Sequence, residues 1–351
     1  MSRYNLIIFL FLLVITPLSA QTNKSIYPPV TVDNIRNLQP VIQVEFDQYP
    51  DIISGWFVVS PDGWRVAVRV GLDRMIIFEE GIFADAFSVS NPALEKPNII
   101  DAVFSDDGNI IAVVDEHGLV TLRNIPTGEQ DTLDFAFEEG VIVQSVWLDD
   151  QNRVWLEILT ADDQLPMVAY MDENNPPMYQ PYAPADDLNA LVRIGRVLPP
   201  YVVTSSPEGE VKLWNLEVGE AVATADAGDM PAVFGQISTN GQFLVWRDPM
   251  TVAVNLLNFE TGENIRVADL NGVYFQAFYV SDDGSAVWAV DEDFEPRVVA
   301  WVVATGERID LGEFRACSRV PDMIRMSHDM TTLVIGCDTG LDIWRVMPEG
   351  E

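Results

Sequence analysis

Short runs of alternating apolar and polar residues, cut by compact turns, fill almost the whole chain. The clearest example lies between residues 273 and 314. An apolar-alternating run at 273–280 turns at Ser281-Asp282-Asp283-Gly284, and a second run occupies 286–290. An acidic loop follows, then a run at 298–303 carrying Trp301. Next come the tight turn Thr305-Gly306-Glu307 and a fourth run opening at Arg308-Ile309-Asp310-Leu311. Alternation with a period of two predicts strands, and Gly and Asp supply positive-φ and side-chain-bonded turn positions. The stretch predicts four short strands in one antiparallel sheet.

The unit repeats. Its first turn recurs as Ser60-Pro61-Asp62-Gly63, Ser105-Asp106-Asp107-Gly108, Leu148-Asp149-Asp150-Gln151 and near Ile194-Gly195. It returns as Ser238-Thr239-Asn240-Gly241, Ser281-Asp282-Asp283-Gly284 and Ser327-His328-Asp329-Met330, at steps of 45, 43, 46, 44, 43 and 46 residues. A second turn series, Thr127-Gly128-Glu129, Val218-Gly219-Glu220, Thr261-Gly262-Glu263 and Thr305-Gly306-Glu307, keeps the same register. Four strands in about 44 residues is the size of one β-propeller blade. Seven copies predict an all-β fold, a seven-bladed β-propeller of four-stranded antiparallel blades.

The copies differ in detail. Copy one shows runs at 56–59, 64–70 and 75–78, and copy two at 99–104, 110–114, 119–124 and 132–135. Copy three, 141–182, departs most, because residues 171–177 carry Asn174-Asn175-Pro176-Pro177 in place of the usual glycine turn. In copy four Pro199-Pro200 lengthens the first turn, and copy five spans 232–270. Copy seven has three strands, with only four residues after Met347. The alternating run at 41–46 is expected to supply its outer strand and close the ring, removing two sheet edges that would otherwise template aggregation.

Residues 1–20 hold one charge, Arg3, an apolar run from 6 to 14, and the exit Thr16-Pro17-Leu18-Ser19-Ala20. That order reads as a secretory signal peptide cut after Ala20. The apolar run is short for the ~20 residues a membrane-spanning helix needs. Leu18, larger than the residue preferred at its position, keeps an uncleaved anchor open as the alternative. No Cys follows the run to take a lipid. The expected organisation is a signal peptide at 1–20, a loosely held lead-in at 21–36, and a single propeller domain at 37–351.

Net charge is −34, or −35 without Arg3. A chain this acidic is repelled by phosphate backbones and anionic lipid surfaces. The sequence therefore predicts no nucleic-acid partner, no stable membrane insertion after cleavage, and an exported monomer.

The turns and tryptophans carry a resemblance. A Ser-Pro-Asp-Gly-like first turn, a tryptophan near the end of the third strand (Trp214, Trp301, Trp344) and a Thr-Gly-Glu turn together resemble WD40-type repeats, over nearly all of the mature chain. The chain is more similar to the divergent WD40-like proteins exported by bacteria than to eukaryotic regulators. The Trp-Asp dipeptide is missing, since Asn215, Val302 and Arg345 follow those tryptophans. The Gly-His signature is missing too, so the buried hydrogen-bond network of the strict family does not carry over. The resemblance implies a seven-bladed propeller whose usual work is holding partners.

Candidate chemistry is sparse. His117 and His328 fall in turns of different copies, with no Cys or second His beside either to make a metal site. The chain holds no nucleophile elbow, phosphate-cradling loop or zinc-binding His pair. Loops joining strands two and three share one face with the inter-blade links. That face is expected to gather Asp115, Glu116, Asp162, Asp163, Asp186, Asp187, Asp226, Asp229, Asp291, Glu292, Asp293 and Glu295. Its basic residues are Arg74, Lys96, Arg247, Arg297, Arg315 and Arg319. Among these, Asp162, Asp163, Asp186, Asp187, Asp291, Glu292 and Asp293 are the candidate partner-binding face. The first-turn aspartates, on the opposite face, read as turn formers. No catalytic residue and no cofactor is assigned; Ca²⁺ is the one ion the oxygen-rich rim would suit. Cys317 and Cys337 map to one face of one blade, a disulfide if oxidised and two buried thiols otherwise. The leading function is an exported, non-enzymatic scaffold that binds a protein or peptide, basic in character, through one loop face or the central channel. The alternative is a lactonase-like propeller hydrolase with a carboxylate-held metal at the channel mouth.

Overall fold

A computed structural model describes residues 27–347 except 48, 50–51, 53–55, 90–96, 138, 150, 160–165, 173–174, 182–191, 194–200, 207–208, 216–219, 227–232, 239, 249–252, 270–274, 292–296, 314–322 and 338. Its strands form seven separate four-stranded antiparallel sheets.

In each of the first six sheets the strands follow chain order from the innermost to the outermost. Blade one holds Phe57–Val59, Arg65–Val70, Arg74–Glu79 and Ile82–Ser88. Blade two holds Ile99–Phe104, Ile110–Asp115, Leu119–Asn124 and Gln130–Asp134. Blade three is Ile142–Leu148, Val154–Leu159, Pro166–Asp172 and Asn175–Pro181; blade four is Val192–Arg193, Tyr201–Ser205, Glu210–Asn215 and Glu220–Asp226. Blade five comprises Val233–Ile237, Phe243–Asp248, Ala253–Asn258 and Asn264–Asp269, and blade six Phe275–Val280, Ala286–Asp291, Arg297–Val302 and Glu307–Glu313. The inner strands of consecutive blades touch around the axis from blade seven through one and two to three, and again from five through six to seven. The fourth strand of blade one had no counterpart in the sequence reading. Ile82 and Phe83 point to solvent there and only Phe87 is buried, so the run shows no regular apolar alternation.

Blade seven closes as expected. Met323–Met326, Thr332–Cys337 and Gly340–Val346 are joined by Leu38–Glu45, which pairs antiparallel with the third of them from Leu38 opposite Val346 to Glu45 opposite Gly340. The strand begins three residues before the run at 41–46. The lead-in, expected to be loose, is anchored where it is described. Val30 and Ile35 are buried in the cluster between blades six and seven, and Val30 N donates to Met330 O at 2.8 Å.

The first turns explain the period. Ser60, Ser105, Ser238, Ser281 and Ser327 are all buried. Each hydroxyl accepts the amide five residues on, at 2.9–3.0 Å. It donates to the side chain two residues on (Asp62, Asp107, Asn240, Asp283, Asp329) at 2.6–2.7 Å. The fourth turn residue takes positive φ, as Gly63, Gly108, Gly241 and Gly284 do at +67° to +74°. Glycine meets that demand without strain. In blade three Asp149 replaces the serine, accepting from Gln151 N and Arg153 N and from Trp155 Nε1 at 2.9 Å.

Strand alternation sends successive side chains to opposite neighbours. In blade two, Ile111 and Val113 pack against blade one while Ala112 and Val114 pack against blade three. Further apolar clusters join blades four to five, five to six, six to seven and seven to one. The core is therefore a ring of seams, and the face ends of the strands stay free for function.

Candidate interaction face

One face of the ring carries the loops between strands two and three and the links between blades. At its centre lie the starts of the inner strands; at its rim lie the last residues of the outer strands.

The carboxylates proposed from sequence fall unevenly. Asp162, Asp163, Asp186, Asp187, Glu292, Asp293, Asp229 and Glu295 lie outside the described residues, as do Lys96, Arg315, Arg319 and Cys317. Asp291 ends the second strand of blade six opposite Arg297, which sets its backbone on the expected face. Asp115 is on that face but fully buried, accepting the amides of His117 and Leu119 at 2.9 Å each. It is a turn former, not a rim charge. Glu116 and Asp226 are exposed there. His117 is exposed beside Glu116, its Nε2 3.7 Å from the carboxylate, and His328 is exposed on the opposite face. Among the described residues no three His, Cys, Asp or Glu side chains come together to hold a metal ion. Cys337 is fully buried at the end of its strand, with Sγ 3.2 Å from Thr339 Oγ1.

The rim has a regularity the sequence reading missed. The outer strand ends on a carboxylate in five blades, at Asp134, Asp226, Asp269, Glu313 and Glu45. Glu45, Asp134, Asp226 and Asp269 are exposed. The signal lies at the last position of the outer strand in those five blades, outside the loops. Among the described residues, however, charge is not confined to this face. The opposite face exposes Asp106, Glu129, Glu220, Glu260, Glu263 and Glu307 in its own turns. Both faces are acidic, because the same turn chemistry that makes the blades uses carboxylates on each side.

What differs is the centre. Leu72, in the loop after the second strand of blade one, is 45% exposed, and Ile142, opening the inner strand of blade three, is 50% exposed. Among the described residues the other exposed large apolar side chains, Ile82, Phe83 and Val222, lie on outer strands. Beside Leu72, in the same blade, sit Trp56 and Arg69, and both Leu72 O and Arg69 Nη1 bond the backbone of Ile99 in the next blade. The Arg69 guanidinium lies 5.5 Å from the Trp56 ring centroid and donates through Nη1 to Ile99 O at 2.9 Å. Burial pulls its pKa below the ordinary arginine value, as for a cation short of solvation.

No protein-family model matches this chain. No curated protein matches it either. Among solved structures it is similar to the β-propeller domain of Cps50 (Swd1) from Myceliophteria thermophila, with TM-score 0.60 and 12% identity over 88% of this chain and 100% of that one. At such identity the likeness carries the fold alone. The seven-bladed β-propeller that the turns implied is the fold of this chain.

Proposed function

We propose that this protein is an exported, non-enzymatic scaffold that holds a protein or peptide partner on the face of the inter-blade links. The observation that carries the reading is the exposure of Leu72 and Ile142 on that face, inward of the carboxylates that end the outer strands. Apolar contact at the middle with charge outside is how interfaces divide affinity from steering. Residues 1–20, in the order of a secretory signal, support export.

The rim carboxylates attract a basic partner from solution, and the apolar centre retains it. The test is binding kinetics with whatever protein copurifies. Changing Glu45 to Gln and Asp134 and Asp226 to Asn slows association at low ionic strength, where the Debye length is long, and loses its effect in ~1 M salt, where that length is ~3 Å. Changing Leu72 and Ile142 to Ser speeds dissociation. If neither variant alters binding, the partner sits elsewhere and the reading fails.

A further inference from the structure

We propose that Arg69 is a recognition residue of this face: it takes a carboxylate of the docked partner, next to an apolar group that meets Leu72. This rests on the scaffold reading above and names the chemistry of its partner.

Carboxylates outnumber cations 54 to 20 in this chain, so an arginine without one is unexpected. On the opposite face of the same two blades Arg65 has Glu79 and Arg123 has Asp85. Among the described residues Arg69 forms no ion pair. Its donors reach one protein acceptor, Ile99 O, and its Nε finds none. A guanidinium has five N–H donors in a planar fork, so most of this one stays unused.

The side chain is also held in place. Trp56 stacks beneath it, and its own backbone N donates to Trp56 O at 3.2 Å. Leu72 O accepts from Ile99 N at 2.8 Å, which ties blade one to blade two just beside it. A fixed, partly desolvated cation loses little freedom when it binds an anion. Tryptophan and arginine are also the residues in which interface energy concentrates.

The occupant is a monoanionic carboxylate. A chain of net charge −34 repels a dianionic phosphate more strongly than a singly charged group. One guanidinium neutralises one charge, and the planar fork matches the two oxygens of a carboxylate. The exposed Leu72 side chain, three residues on, gives the carbon next to that carboxylate an apolar contact.

The test uses the full mature protein with 15N-labelled arginine side chains and three probes at matched ionic strength. These are N-acetyl-leucine, its uncharged amide, and inorganic phosphate. The expected result is a saturable shift of the Arg69 signal with N-acetyl-leucine, none with the amide, and a weaker one with phosphate. Arg69→Gln lowers the affinity about ten-fold or more, and Arg69→Lys recovers part of it. A response no larger than sodium chloride produces makes Arg69 a structural staple only and overturns the proposal. Equal binding of the amide overturns the charge recognition, and binding of phosphate alone overturns the carboxylate assignment. Should Arg69→Gln fail to fold, the wild-type titration still decides. An empty Arg69 site together with intact salt-dependent association at the rim would sink this inference and leave the scaffold reading standing.

Discussion

Arg345 and Glu80 meet across the seam where the ring closes, with Nη1 2.8 Å from Oε1 and the arginine side chain 1% exposed. Arg345 belongs to the last strand of the chain and Glu80 to the outer turn of blade one. The same guanidinium donates to Gly63 O at 3.0 Å and Thr332 Oγ1 at 3.1 Å, and Tyr27 lies over it at 4.6 Å. Arg65 repeats the device one blade on, reaching Gly108 O at 2.8 Å. Breaking a buried pair by removing one partner leaves an uncompensated charge and costs ~3–5 kcal/mol. Glu80→Ala is therefore expected to lose about 3 kcal/mol, and Arg345→Met more, since two further acceptors are stranded. Urea unfolding of both variants checks it; a loss below about 1 kcal/mol for each would show the seam does not rely on the pair.

Two glycines in equivalent turns separate backbone strain from packing. Gly63 and Gly241 have φ of +70° and +74°. A methyl at Gly63 would sit 2.2 Å from Thr332 Oγ1, whereas among the described residues nothing lies within 4 Å of one at Gly241. Gly241→Ala should cost the left-handed penalty alone, ~1–2 kcal/mol. Gly63→Ala should cost clearly more and loosen the closing seam. Equal losses by thermal melting would mean that blades seven and one are not in tight contact at this point.

The N-terminal segment is structural. Deleting residues 21–46 removes the outer strand of blade seven together with Val30 and Ile35. The deletion should lower the melting temperature far more than removal of residues 348–351. Melting within a degree or two of the parent would contradict closure by this strand.

Acid sensitivity follows from two turn carboxylates. Burial pushes the Asp107 and Asp283 carboxyls up, but donors from serine and from the following residues outweigh it and set both below the usual carboxylate range. A depressed folded pKa gives stability that is present above the unfolded value, ~3.9, and lost as pH falls through the folded one. Stability should thus fall below about pH 4. Asp107→Asn with Asp283→Asn should flatten that fall at a neutral-pH cost of ~1 kcal/mol each. Asn240 already serves in that place in blade five. An unchanged acid slope in the double variant would assign the effect to other groups.

Among the described residues no cysteine is free. A bridge between Cys317 and Cys337 would close a loop of ~20 residues and contribute ~3 kcal/mol in the chain-entropy model. Non-reducing peptide mapping of freshly exported protein should recover the two as one linked peptide; two alkylated thiols would refute it.

The blade count and the closing strand were legible because their causes are local. Ser105 bonds Asp107 and Ile110, and Ser281 bonds Asp283 and Ala286, all within six residues, so each turn writes its own signature and the period follows. The missing fourth run of the last copy likewise left a gap that only the N-terminal run suited. The site was not legible in that way. Outer-strand carboxylates such as Glu45, Asp134, Asp226 and Asp269 share one rim only once the ring brings residues some forty to ninety positions apart to the same edge, and turn carboxylates on the far side offset that charge among the described residues. Arg69 stands unpaired because Trp56 and the Ile99 carbonyl of the next blade hold it, and Arg345 is buried because Glu80 and Gly63, more than 260 positions earlier in the chain, wait across the seam. Hydrogen bonds within a turn depend on nearest neighbours in sequence, whereas burial and pairing across blades depend on which surfaces the closed ring presses together.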